Sequence, residues 1–168
     1  LRLLLKTFNL QAFLAANNSV PKRFYMPTAS IINQSPYPLP QYATPGASGM
    51  DIRAHLDKPL EIPPLGRVLI PTGIRIALPE GYEAQVRPRS GLCAKRGLMA
   101  FLGTIDQDYR GEIFISLINL SPEAQSIEPG ERVAQLVVAP YTQVAWEAAD
   151  ALPDTLRGAQ GFGSTGSH

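Results

Sequence analysis

Apolar and polar residues alternate over short stretches along most of this chain, the period-two pattern of strands with one buried face. In Arg67–Leu78 (RVLIPTGIRIAL), Val68, Ile70, Ile74, Ile76 and Leu78 fall at alternate positions, and a Pro-Thr-Gly turn interrupts the stretch. Glu112–Asn119 (EIFISLIN) is a more continuous apolar run, which predicts a strand buried on both faces. Arg132–Ala139 (RVAQLVVA) predicts another strand, with the polar Gln135 set within it. Pro79-Glu80-Gly81 and Glu128-Pro129-Gly130-Glu131 supply turns between such runs. Several short strands at this spacing predict an all-β sandwich, jelly roll or barrel. No internal repeat and no strand–helix–strand unit is visible.

Composition sharpens this picture. Gly and Pro account for 14 and 16 of the 168 residues, which leaves little room for long helices. The length suits one domain with a real core. A net charge of +1, from 15 basic and 14 acidic side chains, gives no electrostatic pull toward nucleic acid or membrane. No apolar run approaches the ~20 residues of a membrane span. Cys93 is the sole cysteine, so no internal disulfide can form, which fits a reducing, cytoplasmic setting.

The first fifty residues contain Arg2, Lys6, Lys22 and Arg23 but no acidic residue before Asp51. Residues 1–25 are read as an extension, either an organelle transit segment or a stretch upstream of a start at Met26. From Asn33 to Gly46 the chain is rich in Pro, Gln, Ser and Tyr, which predicts an extended arm. A β domain is expected over 26–155 and a C-terminal arm over 156–168.

Candidate chemistry sits in five short blocks: Ala47–Ala54 (ASGMDIRA), Arg87–Leu98 (RPRSGLCAKRGL), Gly103–Gly111 (GTIDQDYRG), Glu131–Leu136 (ERVAQL) and Arg157–Gly166 (RGAQGFGSTG). In the second, Arg89, Ser90 and Gly91 offer a guanidinium, a hydroxyl and a close backbone approach, which suits phosphate oxygens. A solvated basic turn after a strand is the competing reading. In the third, Asp106 and Asp108 flank Gln107 ahead of Tyr109. One carboxylate can serve as a general base, or both can cap the backbone of a Gly-closed hairpin. The fifth block holds Gly158, Gly161, Gly163 and Gly166 with Phe162, Ser164 and Thr165. It reads as an anion-wrapping loop with a stacking ring or as a plain Gly/Ser tail. It does not fit a P-loop, because no Gly-Lys-Ser/Thr follows. His55, His168 and Cys93 show no zinc-like spacing; His55 is read as a surface residue and Cys93 as a small hydrophobe in a packed turn.

Taken together, in this order and spacing, the five blocks resemble the trimeric deoxyuridine triphosphatase family over Ala47 to Gly166. The resemblance implies a jelly-roll-like β fold, a homotrimer with active sites shared between subunits, and Mg²⁺-assisted hydrolysis of dUTP to dUMP and pyrophosphate. That activity keeps uracil out of DNA and supplies dUMP for thymidylate synthesis. By the same resemblance, Asp106 activates the attacking water and Tyr109 packs beneath deoxyribose. The main chain around Gly103 and Thr104 reads uracil. Arg89, Ser90, Gly91 and Gln135 bind phosphates, and Arg157 neutralises the distal phosphate. Phe162 stacks on uracil, with Gly163, Ser164 and Thr165 beside it in the arm that contacts phosphate. Asp51 is linked to the metal through water. Gln160 interrupts what is often a Gly pair in the family. Two other functions compete: dCTP deamination on a related fold, and nucleotide binding by a non-catalytic trimer that signals to a partner.

Overall fold

The computed structural model describes residues 26–159 and 161. The described residues form eleven strands and one short helix. The strands are β1 (Ser30–Asn33), β2 (Met50–Arg53), β3 (Leu60–Ile62), β4 (Arg67–Pro71), β5 (Ile74–Ala77), β6 (Tyr82–Arg87), β7 (Leu98–Ala100), β8 (Gly103–Ile105), β9 (Phe114–Asn119), β10 (Gln125–Ile127) and β11 (Arg132–Pro140). The helix, α1, spans Ser90–Arg96.

All pairings are antiparallel. A four-stranded sheet runs β2-β11-β6-β8 and a three-stranded one β4-β9-β7, with two-stranded pieces β1-β5 and β10-β3. Their inner faces meet in one apolar cluster. Ile52, Ala84, Val86 and Leu136 come from the four-stranded sheet, and Ile70, Leu98, Ile115 and Leu117 from the three-stranded one. Ile62, Ile127, Ile74 and Ile76 fill in from the smaller pieces. This is the jelly-roll-like all-β fold that the alternating pattern predicts, with short strands passing between packed sheets.

Two polar corners let the chain change sheets. At 71–74 it leaves β4 and enters β5. The buried Thr72 donates from Oγ1 to the Ile113 carbonyl at 2.6 Å and accepts from the Ile74 N–H at 3.1 Å. Glu112 Oε1 accepts from the N–H groups of Thr72 (3.0 Å) and Gly73 (2.8 Å). Gly73 lies at φ +69°, where a side chain would be strained. At the end of β9, fully buried Asn119 donates from Nδ2 to the Ile62 and Glu123 carbonyls at 2.9 and 2.8 Å. Its Oδ1 accepts from the N–H and Oγ of Ser121. No buried side-chain polar atom among the described residues lacks a partner, so neither corner carries an unmet desolvation cost.

Three expectations need correction. β9 is buried on one face within the chain: Ile115, Leu117 and Asn119 point inward, while Phe114 is exposed and Ser116 and Ile118 are half-buried. The continuous apolar run reflects a second face left uncovered by this chain. The basic stretch after β6 is the lead-in to a helix, not a turn, and Cys93 lies on that helix. Leu92 anchors α1 in the core, Lys95 and Arg96 complement its C-terminal end, and Gly97 stops it at φ +65°. Last, His55 is half-buried: a Cβ on Gly73 would meet its Nδ1 at 2.9 Å.

Candidate active site

The functional residues gather in two groups on the four-stranded sheet. At the β2 end, β11 places Gln135 opposite Asp51 on one side and Arg87 on the other. The chain then turns through Pro88 to Arg89. Arg89 Nε donates to Asp51 Oδ1 at 2.8 Å and its Nη1 to the Arg132 carbonyl at 2.9 Å. Arg132 Nη1 reaches Asp51 Oδ2 at 3.2 Å. Gln135 Nε2 donates to the Pro88 carbonyl at 3.0 Å, fixing the approach to Arg89. Gly49 matters here as well, because a Cβ at that position would sit 2.5 Å from Gln135 Oε1.

These ion pairs are about one-third exposed on the Asp51 and Arg89 side and half-exposed at Arg132, so they add little stability. Their effect is geometric. A guanidinium carries five N–H donors, and two held on protein acceptors fix its plane and leave others for a ligand. The group therefore presents positive charge beside a hydroxyl and an open glycine; nothing lies within 4 Å of a Cβ built on Gly91.

Among the described residues no three His, Cys, Asp or Glu side chains converge as a metal cage. The one carboxylate in this group, Asp51, already takes two guanidinium contacts. That donor set fits a hydrated Mg²⁺ brought in on a polyphosphate and touched through water, since Mg²⁺ keeps several waters and takes much of its ligation from phosphates. It does not fit an ion bound by protein alone.

The second group lies at the opposite edge, on β8. β8 pairs with β6 through Gly103↔Val86, Thr104↔Gln85 and Ile105↔Ala84. Its other side faces no strand in the sheet, so main-chain donors and acceptors remain for a ligand. A cavity of about 300 Å³ opens there, lined by Gly103, Thr104, Asp106 and Tyr109 with Phe101, Leu102 and Phe114. β8 pairs across to β6 and not with the strand that follows it, so the element is an edge strand running into a turn. A Cβ on Gly103 would meet Val86 at 3.6 Å, an ordinary contact. The chain's own packing therefore does not demand glycine at 103.

The turn that follows is braced locally. The Tyr109 N–H donates to the Asp106 carbonyl at 3.1 Å, and Tyr109 Oη donates to the Glu112 carbonyl at 2.9 Å. Arg110 Nη1 donates to the carbonyls of Gln107 and Tyr109 at 2.6 and 2.8 Å. The Tyr109 ring lies over Gly111, where a Cβ would collide with the phenol. The ring is thereby held at the cavity mouth.

Asp51, Arg89, Ser90, Gly91 and Gln135 thus fall together around β2, β11 and the end of β6, and Gly103, Thr104, Asp106 and Tyr109 fall together at β8. Three interstrand steps separate Asp51 on β2 from β8, about 14 Å, whereas Arg89, Ser90 and Gly91 follow β6, the strand paired with β8. Arg157 joins neither strand group; it lies in the segment after β11, where residues 142–159 are exposed. Phe162, Gly163, Ser164 and Thr165 lie outside the described residues, as does the extension 1–25. Sequence reasoning gave no role to Arg132, Glu112 or Gly49, and read Gly111 only as closing a hairpin. Arg132 and Gly49 were within reach, since both stand in marked blocks. The role of Glu112 and the tight packing at Gly49 and Gly111 appear only once the chain is folded.

No helix among the described residues is long and apolar enough to cross a membrane. Residues 35–166 match the family model described as dUTPase. The deoxyuridine 5'-triphosphate nucleotidohydrolase of Maricaulis maris is 54% identical over 133 residues, covering 77% of this chain and 88% of that protein. The enzyme of the same name from Finegoldia magna is 50% identical over 138 residues, covering 81% and 96%. Among solved structures, the dUTPase of Staphylococcus bacteriophage 80alpha with dUPNHPP superposes with a TM-score of 0.77 at 25% identity, covering 84% of this chain and 99% of that one.

Proposed function

The chain belongs to the dUTPase family, and from that premise we propose how its residues divide the hydrolysis of dUTP. The enzyme is a dUTP diphosphatase, which cleaves dUTP to dUMP and pyrophosphate. The single observation that carries the assignment of roles is the cavity at β8, where an edge main chain, a carboxylate and a braced tyrosine converge.

Gly103 and Thr104 offer peptide N–H and C=O groups to the edge of uracil. A glycine that internal packing does not require supports a close approach by the base, with no room left for a 5-methyl group. Tyr109, pinned to the Glu112 carbonyl, lies under deoxyribose and fills the space a 2′-hydroxyl needs. Asp106 accepts a proton from water as its oxygen attacks the α-phosphorus in line. The bond from that phosphorus to the bridging oxygen breaks, and pyrophosphate leaves. Arg89, Ser90, Gly91 and Gln135 hold the phosphate chain, Arg157 meets its distal charge, and Phe162 stacks on the base with Gly163, Ser164 and Thr165 closing over the phosphates. Asp51 would hold Mg²⁺ through water, and the ion, when bound with the nucleotide, would neutralise charge gathering on phosphate oxygens.

The site is completed between chains of a homotrimer. Supporting this, β9 leaves Phe114 exposed and Ile118 half-buried on a face that this chain does not cover. The segment after β11 also leaves Trp146 at 93% and Leu152 at 87% exposure, apolar surface that a neighbouring chain would cover. Deamination of dCTP fits less well, because Tyr109 and Phe162 serve the hydrolase. Single-turnover hydrolysis in ¹⁸O-water tests the chemical step. The label is expected in dUMP; label in pyrophosphate would place the attack on the β-phosphorus and overturn this mechanism.

A further inference from the structure

We propose that Tyr141 is a positioning residue for the turn that carries Asp106, acting through Gln107. The proposal deepens the reading of Asp106 as the base and rests on it. Asp106 borders two cavities: the nucleoside cavity, and a second of about 420 Å³ whose wall includes Gln107, Asp108, Glu83 and Tyr141. Tyr141 immediately follows β11. Its N–H donates to the Gly81 carbonyl at 3.0 Å, one residue beyond the last ladder pair, Pro140↔Tyr82. Its backbone is therefore part of the rigid β11–β6 framework.

From that anchor, Tyr141 Oη donates to Gln107 Oε1 at 3.2 Å, in a half-buried setting. Gln107 is the residue after Asp106, inside the turn closed by the Tyr109 N–H. The other bonds of residues 106–110 span at most three residues; one of them ends on Glu112, whose carboxylate is held by the Thr72 and Gly73 N–H groups. Such bonds fix the shape of the turn and its far end against the 71–74 corner, but not its orientation on the four-stranded sheet. Among the described residues, the Tyr141–Gln107 bond is the only side-chain bond tying residues 106–110 to the four-stranded sheet. The Asp106 carboxylate itself accepts no bond from the described residues, so its aim is set by the turn's backbone. Misplacement of a reacting group by ~1 Å can cost on the order of 10²-fold in rate, so one oriented tether has kinetic weight.

The test uses the full-length protein with Tyr141→Phe, Gln107→Met and the double variant. Two readouts are taken: amide exchange at Tyr109 against Leu117, and kcat and KM for dUTP. One ordinary hydrogen bond corresponds to a change of about 2- to 10-fold in a local equilibrium. Each single variant is expected to speed exchange at Tyr109 by such a factor and to lower kcat, with KM and Leu117 exchange little changed. The double variant is expected to lose no more than either single one. Unchanged exchange at Tyr109, additive losses, or faster exchange at Leu117 in parallel would overturn the proposal. If Tyr109 exchange responds but the wild-type protein does not turn over dUTP, positioning of the turn stands and the assigned reaction fails.

Discussion

Asp106 and Tyr109 sit three residues apart in one turn and are held differently. Tyr109 is fixed through its hydroxyl and its ring, whereas the Asp106 carboxylate accepts no side-chain bond from the described residues and keeps its lone pairs for water. Asp106→Asn preserves outline and volume but cannot take the water's proton. We expect kcat to fall by about 10²-fold or more with dUTP binding retained, checked by steady-state kinetics beside calorimetric titration. Near-normal kcat would remove Asp106 as the base. Tyr109→Ala empties the space beneath the sugar. It should weaken use of dUTP and narrow the ratio of kcat/KM between dUTP and UTP; an unchanged ratio would take sugar discrimination away from this ring.

At the scale of elements, the sheet edges decide where chemistry can occur. β8 is short, lies at the end of its sheet and ends in the Asp106 turn, so it offers main chain to a ligand as no interior strand can. The corners at Thr72 and Asn119 fix the other strands of the core. Asn119→Ala would strand the buried Ile62 carbonyl and the Ser121 N–H, costing roughly 1–3 kcal/mol, measured by urea denaturation at fixed protein concentration. A loss near zero would mean that water replaces the amide. Much of this level was legible in the chain. The alternation at Val68, Ile70, Ile74 and Ile76 marked two strands, and Pro71-Thr72-Gly73 marked the break between them. The helix at Ser90–Arg96 was hidden because Pro88 and Gly91 read as turn residues; its cause is tertiary, the burial of Leu92 and the tether of Arg96 to Glu131 at 2.6 Å and to Gln125. The two-sided burial expected of β9 failed for the opposite reason, since an apolar outer face at Phe114 and Ile118 signals a neighbour as readily as a core. Asp51 and Arg89, 38 residues apart, share a salt bridge that no local pattern could reveal.

For the whole molecule, the outer face of β9 at Phe114 and the uncovered apolar side chains at Trp146 and Leu152 point to assembly. Light scattering coupled to gel filtration should give about three chain masses, and a monomer that hydrolyses dUTP at full rate would contradict a shared site. Removing the chain from Arg157 onward should leave that assembly intact and abolish nearly all turnover, because the charge-assisted contacts of Arg157, Ser164 and Thr165 and stacking by Phe162, worth ~1–3 kcal/mol, go together. Normal turnover by the truncated protein would sever the arm from catalysis. The central claim is hydrolysis of dUTP selected at both base and sugar, and a nucleotide panel tests it most directly: dUTP, UTP, dTTP and dCTP, each with and without Mg²⁺, with products identified. The account predicts dUMP and pyrophosphate from dUTP with Mg²⁺ and little turnover of the other three; ammonia released from dCTP, or equal hydrolysis of UTP or dTTP, would contradict it.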